Sequence, residues 1–404
     1  MRALEPLPFM STRCRECGAP LYSRLFRTWN DDGTVTGRFA SGSRVCHIEC
    51  DEITAVIEGV SERIGYPIDR IVIEGERKAI RRIADNILST GKGIAGLFGR
   101  SWAGAPVALK VTLDVGRTVG HAVPEILEYK RGELLRLKLE HPYCIPLVVG
   151  DTWGAFEALH NITVEAHWEE SDDAVVVELV KVKEGMVWEE PLRLQLERMA
   201  TLPGDAKFDR CPRCGIPREV TETMEWDIEH GMVKNRLTGR REVTIVVESI
   251  NAVLRELEQE LGEEIPGMVQ EIVAGYVAGT IDPDEALDLK VAGYRAALDP
   301  LRARGMGNPV EAEMRDGTLT VVIDNPFSAA LLAGRVAGIY QALEGVRAAA
   351  SWAVHPEGYL VVTVSPASCL LPLSRGRTEV GVLRRPGSAP GHCYFLFALR
   401  YETG

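Results

Sequence analysis

The sequence predicts an α+β protein made of two tandem homologous copies, and three observations predict it. "RCRECGAP" at 13–20 and "RCPRCGIP" at 210–217 share one R-C-x-x-C-G-x-P pattern, 197 residues apart. "HPYCIPLVVGDTWGAFEAL" from His141 matches "NPFSAALLAGRVAGIYQAL" from Asn325 at an offset of 184 residues. Each matched pair brackets the same order of patterns: a small Cys knuckle with a hairpin, then helices, then a β-β-α-β-β antiparallel unit. Copy one spans about 10–185 and copy two about 207–368, with a linker over 186–206 and a tail over 369–404.

The elements follow in order. After the first knuckle, "LYSRLFRTWNDDGTV" alternates and turns at Asp-Gly, and "EVTETMEWDIEHGMVKNR" takes the same place in copy two; both predict a hairpin. Ile53, Val56, Ile57 and Val60 repeat at helical spacing, as do Ile250, Val253, Leu254 and Leu257. Asp51 and Glu248 suit the helix N-termini, and Gly65 and Gly262 suit the stops. A second helix is predicted over "ERKAIRRIADNIL" (76–88), and in copy two over 283–305, with Asp282 and Pro283 as start signals. "EILEYKRGELLRLKLE" and "PVEAEMRDGTLTVVID" read as hairpins around Arg-Gly and Asp-Gly. A Gly-spaced apolar helix follows each, and a last hairpin carries Trp168 or Trp352. The linker reads as a short helical pattern ended by Pro-Gly, and the tail carries two apolar stretches.

A net charge of −12 opposes a nucleic-acid surface and anionic lipid as main partners. No run approaches the roughly 18 apolar residues of a membrane helix, and the start shows no signal-peptide pattern, so the reading is cytoplasmic. Nine cysteines in such a chain point to metal or redox use more than disulfides.

The β-β-α-β-β order, with its Asn-Pro-Phe or His-Pro-Tyr entry to the Gly-spaced helix at 325–338 and 141–154, resembles the 4-vinyl reductase (hydrocarbon-binding) domain family. The resemblance covers roughly 60 residues of each copy. It implies an apolar ligand cavity between helices and sheet and a tendency of the domain to pair, so that a tandem would be an internal pseudo-dimer; homo-oligomers remain open. That family usually carries cysteines around its last hairpin, where this chain has Trp168, Trp352 and apolar residues.

Cys-x-x-Cys-Gly is a tight turn that aims two thiolates at one ion, and a tetrahedral zinc needs four ligands. In copy one, "VCHIEC" supplies Cys46 and Cys50, so Cys14, Cys17, Cys46 and Cys50 form a zinc-ribbon-like set, with an iron–sulfur cluster as the alternative. Copy two has Val243 and Val247 at the matching places. Cys211 and Cys214 are then a relic, part of a local site completed by His230 or Glu242, or half of one four-cysteine site shared with Cys14 and Cys17.

Weaker signals read as structure. "GKGIAG" (91–96) fits G-x-G-x-x-G but follows a helix, not a strand. The resembled family shares its fold with haem–nitric-oxide-binding domains; His121, near where those place an axial His, reads here as a loop residue. His141 and Cys144 read as a helix-cap corner, as do Asn325 and Ser328. The runs "EWDIEH" and "ELEQELGEE" read as solvated acidic surface. The functional expectation is a non-catalytic, metal-stabilised binding protein for a small apolar ligand or a protein partner, as a sensor or accessory factor. The alternatives are a redox or metal-dependent enzyme using a cysteine-ligated cluster, and a zinc-ribbon nucleic-acid binder.

Overall fold

A six-stranded antiparallel sheet joins two distant segments of the chain, in the order β1 (Arg27–Trp29), β2 (Val35–Gly37), β3 (Arg44–Glu49), β10 (Arg241–Val246), β9 (Met232–Asn235), β8 (Met224–Asp227). In this computed structural model the described residues are 7–37, 43–89, 101, 104–182, 201–367, 379–383 and 394–398. The chain divides into a unit of residues 1–366 and a unit of residues 367–404. The "GKGIAG" loop and residues 183–200 of the linker region lie outside the described residues.

The central strands β3 and β10 are buried along most of their length, which suits their short apolar and uncharged runs. Their register pairs Val45 with Val246, Cys46 with Ile245, His47 with Thr244, Ile48 with Val243 and Glu49 with Glu242. Helix α3 (Cys50–Ile64) leaves β3 with no loop, and α8 (Val247–Leu261) leaves β10 in the same way. Their predicted stripes face inward: Ile53, Val56, Ile57 and Val60 are buried, as are Ile250, Val253 and Leu257. Gly65, at φ 74°, closes α3 in the left-handed conformation that a Cβ disfavours.

Next come α4 (Asp69–Ser89) and, in the second half, α9 (Ile265–Thr280). Each packs against the later Gly-spaced helix, α6 (Ile145–His160) or α13 (Ala329–Glu344). The glycine spacing has a steric reason. A Cβ at Gly154 would lie 2.4 Å from the Arg77 carbonyl oxygen, and one at Gly338 would lie 2.7 Å from that of Ala274. Backbone meets backbone at these crossings, and any side chain would push the helices apart.

Two four-stranded antiparallel sheets complete the larger unit. One runs β4 (Val123–Lys130), β5 (Leu134–Glu140), β7 (Ala174–Lys181), β6 (Val164–Ser171). The other runs β11 (Asn308–Arg315), β12 (Thr318–Asp324), β14 (Tyr359–Pro366), β13 (Ala348–His355). Both first hairpins carry a register shift, after Ile126 and after Pro309. Asp316 and Gly317, both at positive φ, make the predicted two-residue turn of the second hairpin. In the smaller unit, β15 (Glu379–Leu383) pairs antiparallel with β16 (Tyr394–Ala398).

Several expectations need amendment. Each predicted knuckle hairpin opens with a helical turn, α2 (Leu21–Phe26) or α7 (Arg218–Thr223), set off by Pro20 and Pro217. The predicted helix over 283–305 is three short helices, α10 (Pro283–Ala292), α11 (Tyr294–Leu298) and α12 (Pro300–Ala303), broken at Gly293 and Pro300. Asp282 caps α10 as expected, accepting from the Glu285 N–H at 2.8 Å. Helix α9, and α5 (Gly104–Val119) in the first half, had no counterpart in the sequence reading. Cys144 and Ser328 do occupy helix N-cap positions, but neither side chain makes a capping hydrogen bond.

The two halves grip one another through paired contacts. The Arg44 guanidinium donates to the carbonyls of Asn325 (2.5 Å) and Pro326 (3.2 Å). Arg241 donates to those of His141 (2.6 Å) and Gly120 (2.9 Å). Arg335 on α13 pairs with the buried carboxylate of Glu52 on α3.

Candidate metal centre

Each knuckle is a closed turn before any metal is considered. Cys14 N–H donates to the Ala19 carbonyl at 2.8 Å, and Gly18 N–H donates back to Cys14 at 2.9 Å. Cys211 and Ile216, and Gly215 and Cys211, repeat these bonds at 2.9 and 2.8 Å. Gly18 and Gly215 stand at φ 73° and 75°, so the tight reversal needs glycine at both places.

The two turns face each other directly, their cysteines sharing one small apolar cluster. Cys14 Sγ lies 3.9 Å from Cys211 Sγ, and Cys17 Sγ lies 3.5 Å from Cys214 Sγ. All four sulfurs fall within 4.8 Å of one another. A tetrahedron of thiolates at the usual zinc–sulfur distance of about 2.3 Å has edges of about 3.8 Å, so four soft donors stand at the spacing a metal ion needs. Arginines lock the arrangement. Arg13 donates to the Trp226 carbonyl at 2.5 Å and Arg210 to the Trp29 carbonyl at 3.0 Å, each reaching into the opposite half.

Protonation is uneven across the group. Burial raises the Cys17 and Cys214 thiols. Burial also works against ionisation at Cys211, but the backbone N–H groups of Cys214 and Arg213 bring it down to about 7. A thiolate at Cys211 is thus available near neutrality, and a bound cation would draw the protons from Cys17 and Cys214.

The other predicted ligands lie elsewhere. Cys46, in β3, and Cys50, first residue of α3, belong to the main apolar core and are 0% and 4% exposed. Burial pushes both up to about 12, so they are neutral thiols. Among the described residues, the one metal-type group contains neither of them. The ribbon-like set of Cys14, Cys17, Cys46 and Cys50 is therefore not assembled: β3 and the start of α3 carry Cys46 and Cys50 into the main core, outside the sulfur group. His230 bonds Asp227 on an exposed turn at 2.7 Å, and buried Glu242 takes Arg304 at 2.7 Å and Asn235 at 3.0 Å. Neither belongs to the group.

His121 is held by Asp151 (3.2 Å) and the Thr244 carbonyl (3.0 Å), with its ring against Tyr143. Its Nε2 is tied to the backbone of β10, and Nδ1 faces the Asp151 carboxylate. His141 takes a left-handed φ of 52° and gives its carbonyl to Arg241, matching Asn325 at φ 53° and Arg44. Cys144 is a buried thiol pushed up to about 12 by desolvation.

A second feature carried no sequence signal. A cleft of about 850 Å³ opens between the first hairpin and the second half. Leu254, Ile265, Val269, Phe327 and Trp352 form its apolar wall, whereas Asp32, Arg44, Glu248, Arg255 and Glu258 bring charge to the lining. Its residues come from distant segments, so only the fold brings them together. Trp168 packs against the apolar core, whereas Trp352 borders both core and cleft. No helix among the described residues is long and apolar enough to cross a membrane.

No family model matches the chain, and no curated protein does. Among solved structures, the chain shows a likeness to the phenol-responsive sensory domain of the transcription activator PoxR, crystallised with phenol. The likeness has 13% identity and a TM-score of 0.29, and it covers 36% of this chain and 86% of that one.

Proposed function

We propose that the chain is a tandem of two related copies, stapled by one shared zinc ion, that works as a non-catalytic binding protein for a small apolar ligand. The carrying observation is the meeting of Cys14, Cys17, Cys211 and Cys214. A two-fold relation sets matching residues opposite one another. Cys14 faces Cys211 and Cys17 faces Cys214, each pair 197 residues apart. His47 also faces Thr244, again 197 residues apart, at the middle of the β3–β10 ladder. The matching strand orders of the four-stranded sheets support the same reading. Four thiolates with no other donor suit zinc, and a reduced centre suits the cytoplasm.

The cleft gives the ligand a place. Its volume lies within the range of small-molecule sites. Its apolar wall would take the apolar body of a ligand, and the facing polar and charged side chains would orient a polar group on it. The resemblance to the 4-vinyl reductase family points the same way. Titration with the neutral fluorophore N-phenyl-1-naphthylamine tests this. Saturable binding at one site per chain is expected, weakened at least tenfold by Ala330→Trp, which fills the cleft. Absence of saturable binding, or binding indifferent to Ala330→Trp with the fold intact by circular dichroism, speaks against the cleft as the site.

A further inference from the structure

The four thiols also stand in position for a second chemistry, covalent closure. Cys17 is the one member of the group that is not fully buried, so an oxidant meets it first. Cys214 Sγ lies 3.5 Å from it, in the other half of the chain, and the Cys14–Cys211 pair stands at 3.9 Å. A disulfide of about 2.05 Å needs the first pair to close by about 1.5 Å. The arginine clamps, Arg13 to Trp226 and Arg210 to Trp29, hold the knuckles face to face without help from a metal.

We propose that, once the metal has left, a hydroperoxide converts this centre into disulfides that join the two halves, Cys17–Cys214 first and Cys14–Cys211 second. The proposal rests on the four cysteines forming one centre. The Cys17 sulfur gives up its proton to water as it attacks the peroxide, the O–O bond breaks, and a sulfenic acid forms. The Cys214 sulfur, losing its proton in turn, then displaces hydroxide from that sulfur and the S–S bond forms. Per disulfide, two thiols and one hydrogen peroxide give two waters, so two electrons pass from the sulfur pair to the peroxide. The product closes a loop between residues 17 and 214 and ties the halves covalently. Cys46, Cys50 and Cys144 are shut in the main apolar core, outside this sulfur group, and stay reduced.

The test uses the full chain, treated with a chelator and then with hydrogen peroxide. Products are read by non-reducing electrophoresis and disulfide peptide mapping, and metal release is measured in parallel. The expected result is a faster-migrating monomer, a dominant Cys17–Cys214 peptide, reversal by dithiothreitol, and at least tenfold slower formation in metal-loaded protein. Disulfides confined to Cys14–Cys17 and Cys211–Cys214, or irreversible acids at these positions, overturn the proposal. Protein that carries no metal yet forms the Cys17–Cys214 link ends the metal reading and leaves this one standing.

Discussion

Changing Cys211 and Cys214 together to serine is expected to empty the whole chain of metal, although Cys14 and Cys17 remain. Two thiolates do not make a four-coordinate site, and the missing pair comes from the other knuckle. Stability falls as well. A ligand held only by the folded state contributes about 4 kcal/mol when its concentration is a thousand times its dissociation constant. The loss is read as a lower thermal midpoint that added zinc no longer raises. The comparison variant is Cys46→Val with Cys50→Val, since valine stands at the matching positions 243 and 247. It keeps its metal. Metal retained by the first variant and lost by the second would restore the ribbon within copy one.

The second large effect comes from a contact far from the sulfurs. Arg335→Met leaves the Glu52 carboxylate buried, 1% exposed, without its cation. Removing one partner of a buried pair costs about 3–5 kcal/mol. Burial already raises the Glu52 carboxyl against the pull of Arg335, so in the variant it takes up a proton more readily. The deficit therefore shrinks as the pH is lowered, because the protonated acid is cheaper to bury. Urea denaturation across pH measures this. Pairing Arg335→Met with Glu52→Leu recovers most of the loss. A single-variant loss below about 1 kcal/mol, or no recovery in the double variant, contradicts the account of this junction.

Local pattern made part of the molecule legible from sequence. The stripes of α3 and α8 turn inward as their spacing required, Gly65 stops its helix, and the Asp-Gly turn at 316–317 shapes its hairpin. Helix α9 escaped because it is apolar around much of its circumference and holds Gly267, Gly275 and Gly279, so it shows no stripe. The metal group was legible only as one of several choices. Sequence spacing put Cys46 nearer to Cys14 than Cys211, but pairing of β3 with β10 brings distant knuckles together while carrying Cys46 into the core. Loop closure of that length depends weakly on chain separation, so nearness in sequence is a poor guide to ligation. The arginine clamps had a visible trace, the Arg before each first cysteine, whose meaning depends on the facing Trp carbonyl. The cleft had none.

Metal content of the natively purified chain, taken with its visible spectrum, tests the shared centre most directly. One zinc per chain with no visible absorption is the predicted result. Two ions per chain, none, or the absorption of an iron–sulfur cluster would contradict it.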